Sequence, residues 1–203
     1  IKEWVHFGLT SQDINNTAIP YLWTQALEME YLPALLNLNQ EIKLLARRWK
    51  EIPLLARTHG QPASPTKLGK ELMVFVERIE NQVEQLLQHP VTVKFGGATG
   101  NFNAHHVAFP KKNWVKLGND FIEKRFGLRR QQFTTQIEHY DPVAAHFDTM
   151  KRINTILTDL CRDFWTYISM DYFKQQTQKN EVGSSAIDRK STRLNSSHGY
   201  ISY

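Results

Sequence analysis

Three stretches of this chain place apolar residues at the alternating three- and four-residue steps of a helix packed along its whole length. Tyr31, Leu35, Leu38, Ile42, Leu45 and Trp49 form the first. Leu68, Leu72, Phe75, Val76, Ile79, Val83, Leu86 and Leu87 form the second, and Phe147, Met150, Ile153, Leu157, Leu160, Phe164 and Ile168 the third. A stripe of this kind needs an apolar partner at every turn, so the pattern predicts an all-α fold built as a bundle of long helices. The first pattern opens at Asp13 as an N-cap and meets Pro33, which predicts a kink or break near residue 32. The second helix is expected to start between Ser64 and Thr66, with Pro65 in its first turn, and to end at Pro90. A short helix over 111–126 is closed by Gly127 as a left-handed cap. The last long helix is expected from Pro142 to Gln178. Residues 91–107, around Gly96, Gly97 and Gly100, read as irregular or short-strand structure. Strand patterns are otherwise almost absent, and nothing repeats.

The chain's 203 residues, 41% hydrophobic and 22% charged, suit a soluble protein of one sizeable domain or of one domain plus appendages. No apolar run is long enough to span a bilayer, which argues against a membrane partner. A single cysteine, Cys161, excludes a disulfide framework and fits a reducing, cytoplasmic setting. The formal charge is +5, of which Arg189, Lys190 and Arg193 against Asp188 supply +2. The remainder is too small and too evenly spread to argue for nucleic acid. The first residue is Ile, which predicts an incomplete N-terminus. From Asp188 the periodicity vanishes, and Asp-Arg-Lys-Ser-Thr-Arg-Leu-Asn-Ser-Ser-His matches the translation of a common sequencing adaptor. The expected division is a helical domain over 1–186 and a foreign, disordered tail over 187–203.

Three polar clusters could carry chemistry. His6 to Asn16 (HFGLTSQDINN) lies at the mouth of the first long helix, where hydroxyls and free N–H groups suit a carboxylate or phosphate. The plainer reading is that Thr10, Ser11 and Asp13 only cap the helix. Residues 54–66 (LLARTHGQPASPT) read as a Pro- and Gly-punctuated turn between two helices, holding His59. An imidazole can give a proton to a leaving group at physiological pH; alternatively this is a loop histidine bonded to a carbonyl. Gly183-Ser184-Ser185 offers a serine beside glycine, which is also ordinary linker composition. Two smaller signals, Thr134 to Glu138 and Gly100 to His105, place amides and hydroxyls in connections. His105 and His106 are adjacent and lack the i, i+4 spacing of a chelating pair, so no metal and no cofactor is expected.

Taken in order, HFGLTSQDINN (6–16), IPLLARTHGQPASPTKLGKE (52–71), GGATGNFNAH (96–105), TTQIE (134–138) and NEVGSS (180–185) resemble the fumarase/aspartase superfamily, and within it the adenylosuccinate lyase family. The resemblance spans about residues 1–186. It implies a homotetramer whose core is a bundle of long helices, with each active site built from three chains. The implied reaction eliminates fumarate from adenylosuccinate and from its imidazole-carboxamide analogue in purine synthesis. By the same resemblance Ser184 is the catalytic base and His59 the general acid. Thr10 and Ser11 contact the succinyl carboxylate, and Gln136 contacts substrate; Asn101 and Asn103 lie in a matching segment without an assigned role. The family pattern continues after the serine loop with Met-Pro-x-Lys-x-Asn, whereas here Ala186 is followed by Ile187. The chain therefore reads as an internal piece, inactive alone. The competing expectations are argininosuccinate lyase, a relative that also releases fumarate, and a non-catalytic helical oligomerisation scaffold.

Overall fold

The computed structural model of the chain describes residues 2–175 and 201–202 and divides into two compact units, Ile1–Ile153 and Asn154–Tyr203. In the first unit a short 3-10 helix (Lys2–His6) precedes α1 (Ser11–Ala26), a π-helical turn (Leu27–Tyr31) and α2 (Leu32–Arg48), which follow one another as a single rod. The irregularity predicted near residue 32 is present. Pro33 has no N–H to give, and the Leu32 N–H reaches back five residues to the Leu27 carbonyl, widening the turn that precedes it. The N-cap is Thr10, not Asp13: Thr10 is extended (φ −111°, ψ 162°), and Asp13, in the first turn, turns its Oδ2 back to accept the Thr10 N–H at 2.8 Å.

The expected turn at 54–66 is instead a hairpin of β1 (Pro53–Thr58) and β2 (Gln61–Lys67), antiparallel, with Thr58 opposite Gln61. Its two-residue loop, His59-Gly60, has φ of +51° and +76°, the pair of positive angles that a type I′ turn requires. Histidine tolerates that region better than a β-branched residue would. Pro62 and Pro65 both lie in β2, so Pro65 is not in a helix. A two-stranded ribbon accepts such prolines because each strand has an open edge. Helix α3 (Leu68–Leu87) starts later than predicted, at the point where the Leu68 and Gly69 N–H groups are taken by the Ile52 and Trp49 carbonyls at 3.0 and 3.1 Å.

Helices α2 and α3 pack along each other. Leu35, Ile42 and Trp49 of the first stripe are buried, but Leu38 is exposed and Asn39 and Ala46 are buried in its place. The α3 stripe buries Leu68, Leu72, Phe75, Val76, Ile79 and Leu86 as expected, with Leu87 left outside. Each large side chain so buried contributes about 1.5–3 kcal/mol. Gly69 allows the closest approach, since a Cβ there would lie 2.2 Å from the Ala46 carbonyl oxygen.

The chain then forms β3 (Thr92–Val93), α4 (Asn103–Ala108), α5 (Trp114–Phe126) and β4 (Arg129–Arg130), with β3 and β4 parallel. Asn113 caps α5, and Gly127 closes it with φ +66°, as predicted. Val93, Ile122 and Leu128 make a small core here, flanked by Tyr21, Phe95 and Phe126. Helix α6 runs from Asp141 to Ser169, shorter than the expected span to Gln178. In the second unit the chain reverses at Asp171 (φ +59°), where the Tyr172 and Phe173 N–H groups both bond the Tyr167 carbonyl and Phe173 stacks on Phe164 at 5.5 Å. That aromatic cluster buries Phe173 only if the helix stops. A short β5 (Lys174–Gln175) pairs with β6 (Ile201–Ser202). The proposed foreign tail, 187–203, falls outside the described residues apart from β6. The fold class is all-α as predicted, with the hairpin added to it.

Candidate functional site

The N-terminus of α1 organises the polar cluster of the first unit. Asp13 is fully buried and takes four hydrogen bonds: Oδ2 from the Thr10 N–H at 2.8 Å, and Oδ1 from the Gly96 N–H at 2.8 Å, the Gly97 N–H at 3.1 Å and the Lys94 ammonium at 2.7 Å. Burial pushes its carboxyl up. The bonds from Lys94, Thr10 and Gly96, with the Lys94 charge, outweigh that and hold it below the usual carboxylate range. Lys94 is equally inaccessible, and its ammonium also donates to the Gly97 carbonyl. Its backbone is stitched to α1 through the Asn16 and Thr17 positions.

This anchoring draws three segments together, around residues 8–17, 92–103 and 134–140. Gly97 (φ +78°) lies over Gly8, where an added Cβ would be 3.1 Å from the Gly8 carbonyl. Gly100 (φ +81°) meets the 134–135 segment, with a Cβ position only 2.5 Å from the Thr134 carbonyl. Gln136 Nε2 then donates to Thr10 Oγ1 at 3.0 Å, joining two of the predicted substrate contacts across 126 positions of sequence. Ser11 stands exposed beside them at the start of α1. Below the exposed groups, Asn16 accepts the Glu138 N–H at 2.7 Å and donates to the Tyr140 hydroxyl at 2.6 Å. Thr92 donates to the Glu138 carboxylate at 2.8 Å. Asn101 and Asn103 both donate to Thr99 Oγ1 at 3.3 Å. The result is a solvent-facing rim of hydroxyls and amides at a helix N-terminus, over a buried polar floor, which suits a small anion.

His59 is elsewhere. It is exposed at the hairpin tip, just beyond the far end of the α1–α2 rod. From Ser11 to Arg48 that rod measures about 55 Å at 1.5 Å per residue. A six-residue strand folded straight back recovers no more than about 20 Å, so His59 and Thr10 of one chain cannot share a ligand. Ser184 lies outside the described residues.

Sequence reasoning missed Lys94 and gave no individual role to Asn16, Glu138 or His105, which lay inside the motifs it quoted. Lys94, Asn16 and Glu138 carry the floor of the site, and Asp13 does far more than cap a helix. A lysine inside the apolar run Val91–Phe95 was the available signal for Lys94. His105, buried among Phe7, Phe102 and Trp114, has no partner for its Nδ1, and burial lowers its pKa. Arg130 is buried against Phe102, with its guanidinium bonded to Asn119, Gln132 and the Phe95 carbonyl. Among the described residues no group of three His, Cys, Asp or Glu side chains could hold a metal ion, and no helix is long and apolar enough to cross a membrane.

The sequence model of the family described as Lyase matches residues 1–191. The chain belongs to the lyase family. It is a member of the fumarase/aspartase superfamily. Curated relatives of this lyase-family chain include the adenylosuccinate lyase of Dictyostelium discoideum, 56% identical over 193 residues covering 94% of this chain and 41% of that protein. Those of Vibrio cholerae and Escherichia coli K12 are each 42% identical over 190 residues, covering 94% of this chain and 42% and 41% of theirs. The lyase-family chain thus spans about two-fifths of the length of the relatives it matches. Among solved structures, a fumarate lyase from Mesorhizobium sp. BNC1 superposes with a TM-score of 0.74 at 20% identity, over 85% of this chain and 40% of that one. The 3-carboxy-cis,cis-muconate lactonizing enzyme of Pseudomonas putida gives 0.70 at 20% identity, over 85% and 38%. These two likenesses share the fold.

Proposed function

We propose that this chain is the central part of an adenylosuccinate lyase, eliminating fumarate from adenylosuccinate to give AMP, and from the succinyl-aminoimidazole-carboxamide ribotide in purine synthesis. The observation that carries the reading is the hydrogen bond between Thr10 and Gln136, which draws both predicted substrate contacts to one helix N-terminus. In this reading Thr10 and Ser11 hold the succinyl carboxylate and Gln136 a second polar group of the substrate. Ser184, as its alkoxide, removes the proton on the carbon next to a succinyl carboxylate. The electron pair of that C–H bond forms the new C=C bond, the C–N bond breaks, and His59 protonates the departing nitrogen. Charge building on the carboxylate in the aci-form is met by donors already aimed at it, which is where most of the rate enhancement arises.

The separation of His59 from Thr10 within one chain supports a site assembled from several protomers, with the hairpin of one copy supplying the acid to the helix terminus of another. Exposed apolar side chains along the rod, including Ile14, Ile19, Leu22 and Met29, favour a homo-oligomer, a tetramer by family resemblance. An isolated chain would then be inactive. The cytoplasm is the compartment proposed for a nucleotide-processing enzyme with one free cysteine.

The test is fumarate release from adenylosuccinate and from argininosuccinate by the full-length protein. Turnover of the first and not the second is expected. Preference for argininosuccinate, or no turnover of either, overturns the assignment.

A further inference from the structure

The buried pair beneath the site has an electrostatic consequence that the proposed chemistry does not use. Asp13 is an ionised carboxylate in the first turn of α1, and its Oδ2 lies 2.8 Å from the Thr10 backbone nitrogen. A substrate carboxylate on the Thr10 and Ser11 hydroxyls would sit within a few ångströms of it. A helix N-terminus attracts anions through roughly half a positive charge, and a bare aspartate in its first turn would cancel that attraction. Lys94 removes the conflict. Its ammonium bonds Asp13 Oδ1 at 2.7 Å with both side chains fully inaccessible, so their mutual field is little screened by solvent. The amides of Gly96 and Gly97 complete the neutralisation on the same oxygen.

We infer that Lys94 is a positioning and specificity residue of the carboxylate site, whose buried ammonium cancels the charge of Asp13 so that the Thr10–Ser11 face accepts a dicarboxylate. The inference rests on the reading above, that this face binds the succinyl carboxylate. It predicts unequal outcomes for the two halves of one ion pair. Removing the lysine leaves a buried anion under the ligand; removing the aspartate's charge leaves a buried cation there.

Fumarate binding is measured by isothermal titration calorimetry on the full-length wild-type protein and on the Lys94→Met, Asp13→Asn and doubly substituted proteins, each checked for folding by thermal unfolding. Lys94→Met is expected to weaken fumarate binding roughly tenfold or more, the size of effect that a close unbalanced charge gives. Asp13→Asn keeps an oxygen that can accept from Gly96 and Gly97 and is expected to weaken it at least threefold less than Lys94→Met, and the double variant returns to within about threefold of wild type. A role confined to holding the loops together weakens binding equally in both single variants, and that result overturns the inference, as does a folded Lys94→Met that binds like wild type. If Lys94→Met does not fold, the other two variants decide, and loss of fumarate binding by folded Asp13→Asn overturns it. Wild-type protein that turns over adenylosuccinate but fails this pattern overturns the inference alone. Wild-type protein that neither releases nor binds fumarate overturns the functional reading and the inference with it.

Discussion

Two glycines with left-handed backbone angles show how much the surroundings of a residue decide. Gly8 (φ +66°) faces the His105 ring, where an added Cβ would lie 2.5 Å from Cε1, whereas Gly60 (φ +76°) has nothing within 4 Å of its Cβ position. Gly60→Ala is expected to cost about 1 kcal/mol, the strain of the left-handed region alone. Gly8→Ala adds an overlap with a buried ring and is expected to cost about 3 kcal/mol or more. Urea unfolding of the two variants checks the difference. The histidines divide in the same way. His146 is buried, accepts the Trp23 indole N–H on Nδ1 at 3.0 Å and bonds the His89 carbonyl through Nε2 at 2.7 Å, an arrangement that only the neutral ring with its proton on Nε2 satisfies. Burial accordingly lowers its pKa, as it does that of His105. Because the folded state resists protonation, the unfolded state binds more protons once pH drops below the ordinary histidine value of about 6.5. Stability is therefore fully present above that pH, falls through the range below it and levels off beneath the folded pKa values. Asp13, held low, adds its own loss only under about pH 4. Unfolding free energies at pH 7.5, 6.5 and 5.5 should fall in that order, and His146→Gln should reduce the slope by up to one proton.

At the scale of elements, the hairpin is the least expected feature and the α2–α3 pair the most legible. Helical periodicity in α2 and α3 is strong, because each buries one face against a neighbour of the same kind. The buried line keeps the seven-residue spacing through Leu35, Ile42 and Trp49, but its second row is Asn39 and Ala46 rather than Leu38 and Leu45, so the helix turns a slightly rotated face to its neighbour. The hairpin lacks any alternating apolar pattern, since both its strands are largely exposed, so nothing in its composition signals a sheet. Only His59-Gly60, a turn pair capable of two positive φ angles, hinted at it. Two predictions belong here. His59→Asn keeps a residue that accepts the turn geometry and removes the proposed proton donor, so unfolding should shift by under about 0.5 kcal/mol while kcat falls roughly 100- to 10,000-fold. Gly69→Ala pushes a Cβ into the Ala46 carbonyl at 2.2 Å and should cost about 3 kcal/mol or more in urea unfolding.

The whole molecule sets a condition that no local feature does. Under the proposed roles, with His59 at one end of the α1–α2 rod and the Thr10–Ser11 face at the other, a site needs more than one copy. Mixing two inactive full-length variants, His59→Asn and Thr10→Val, and allowing subunits to exchange should restore activity. A site drawing the two residues from different protomers finds each intact half the time, so roughly a quarter of sites should recover. Activity that stays at the level of the separate variants after confirmed exchange rules out a shared site.

The succession of residues alone determined the helical class, the long packed faces, the cap at Gly127 and the order of the polar motifs, because all of these follow from local spacing and local backbone preference. It also pointed to Thr10, Ser11 and Gln136, though not to their meeting. Tertiary structure decided what depends on distance through space. It brought Gln136 to Thr10, placed Lys94 under Asp13 and sent His59 to the far end of the rod. Each turns on where a rigid helix ends, and helix length accumulates over dozens of residues in a way that no single motif can register.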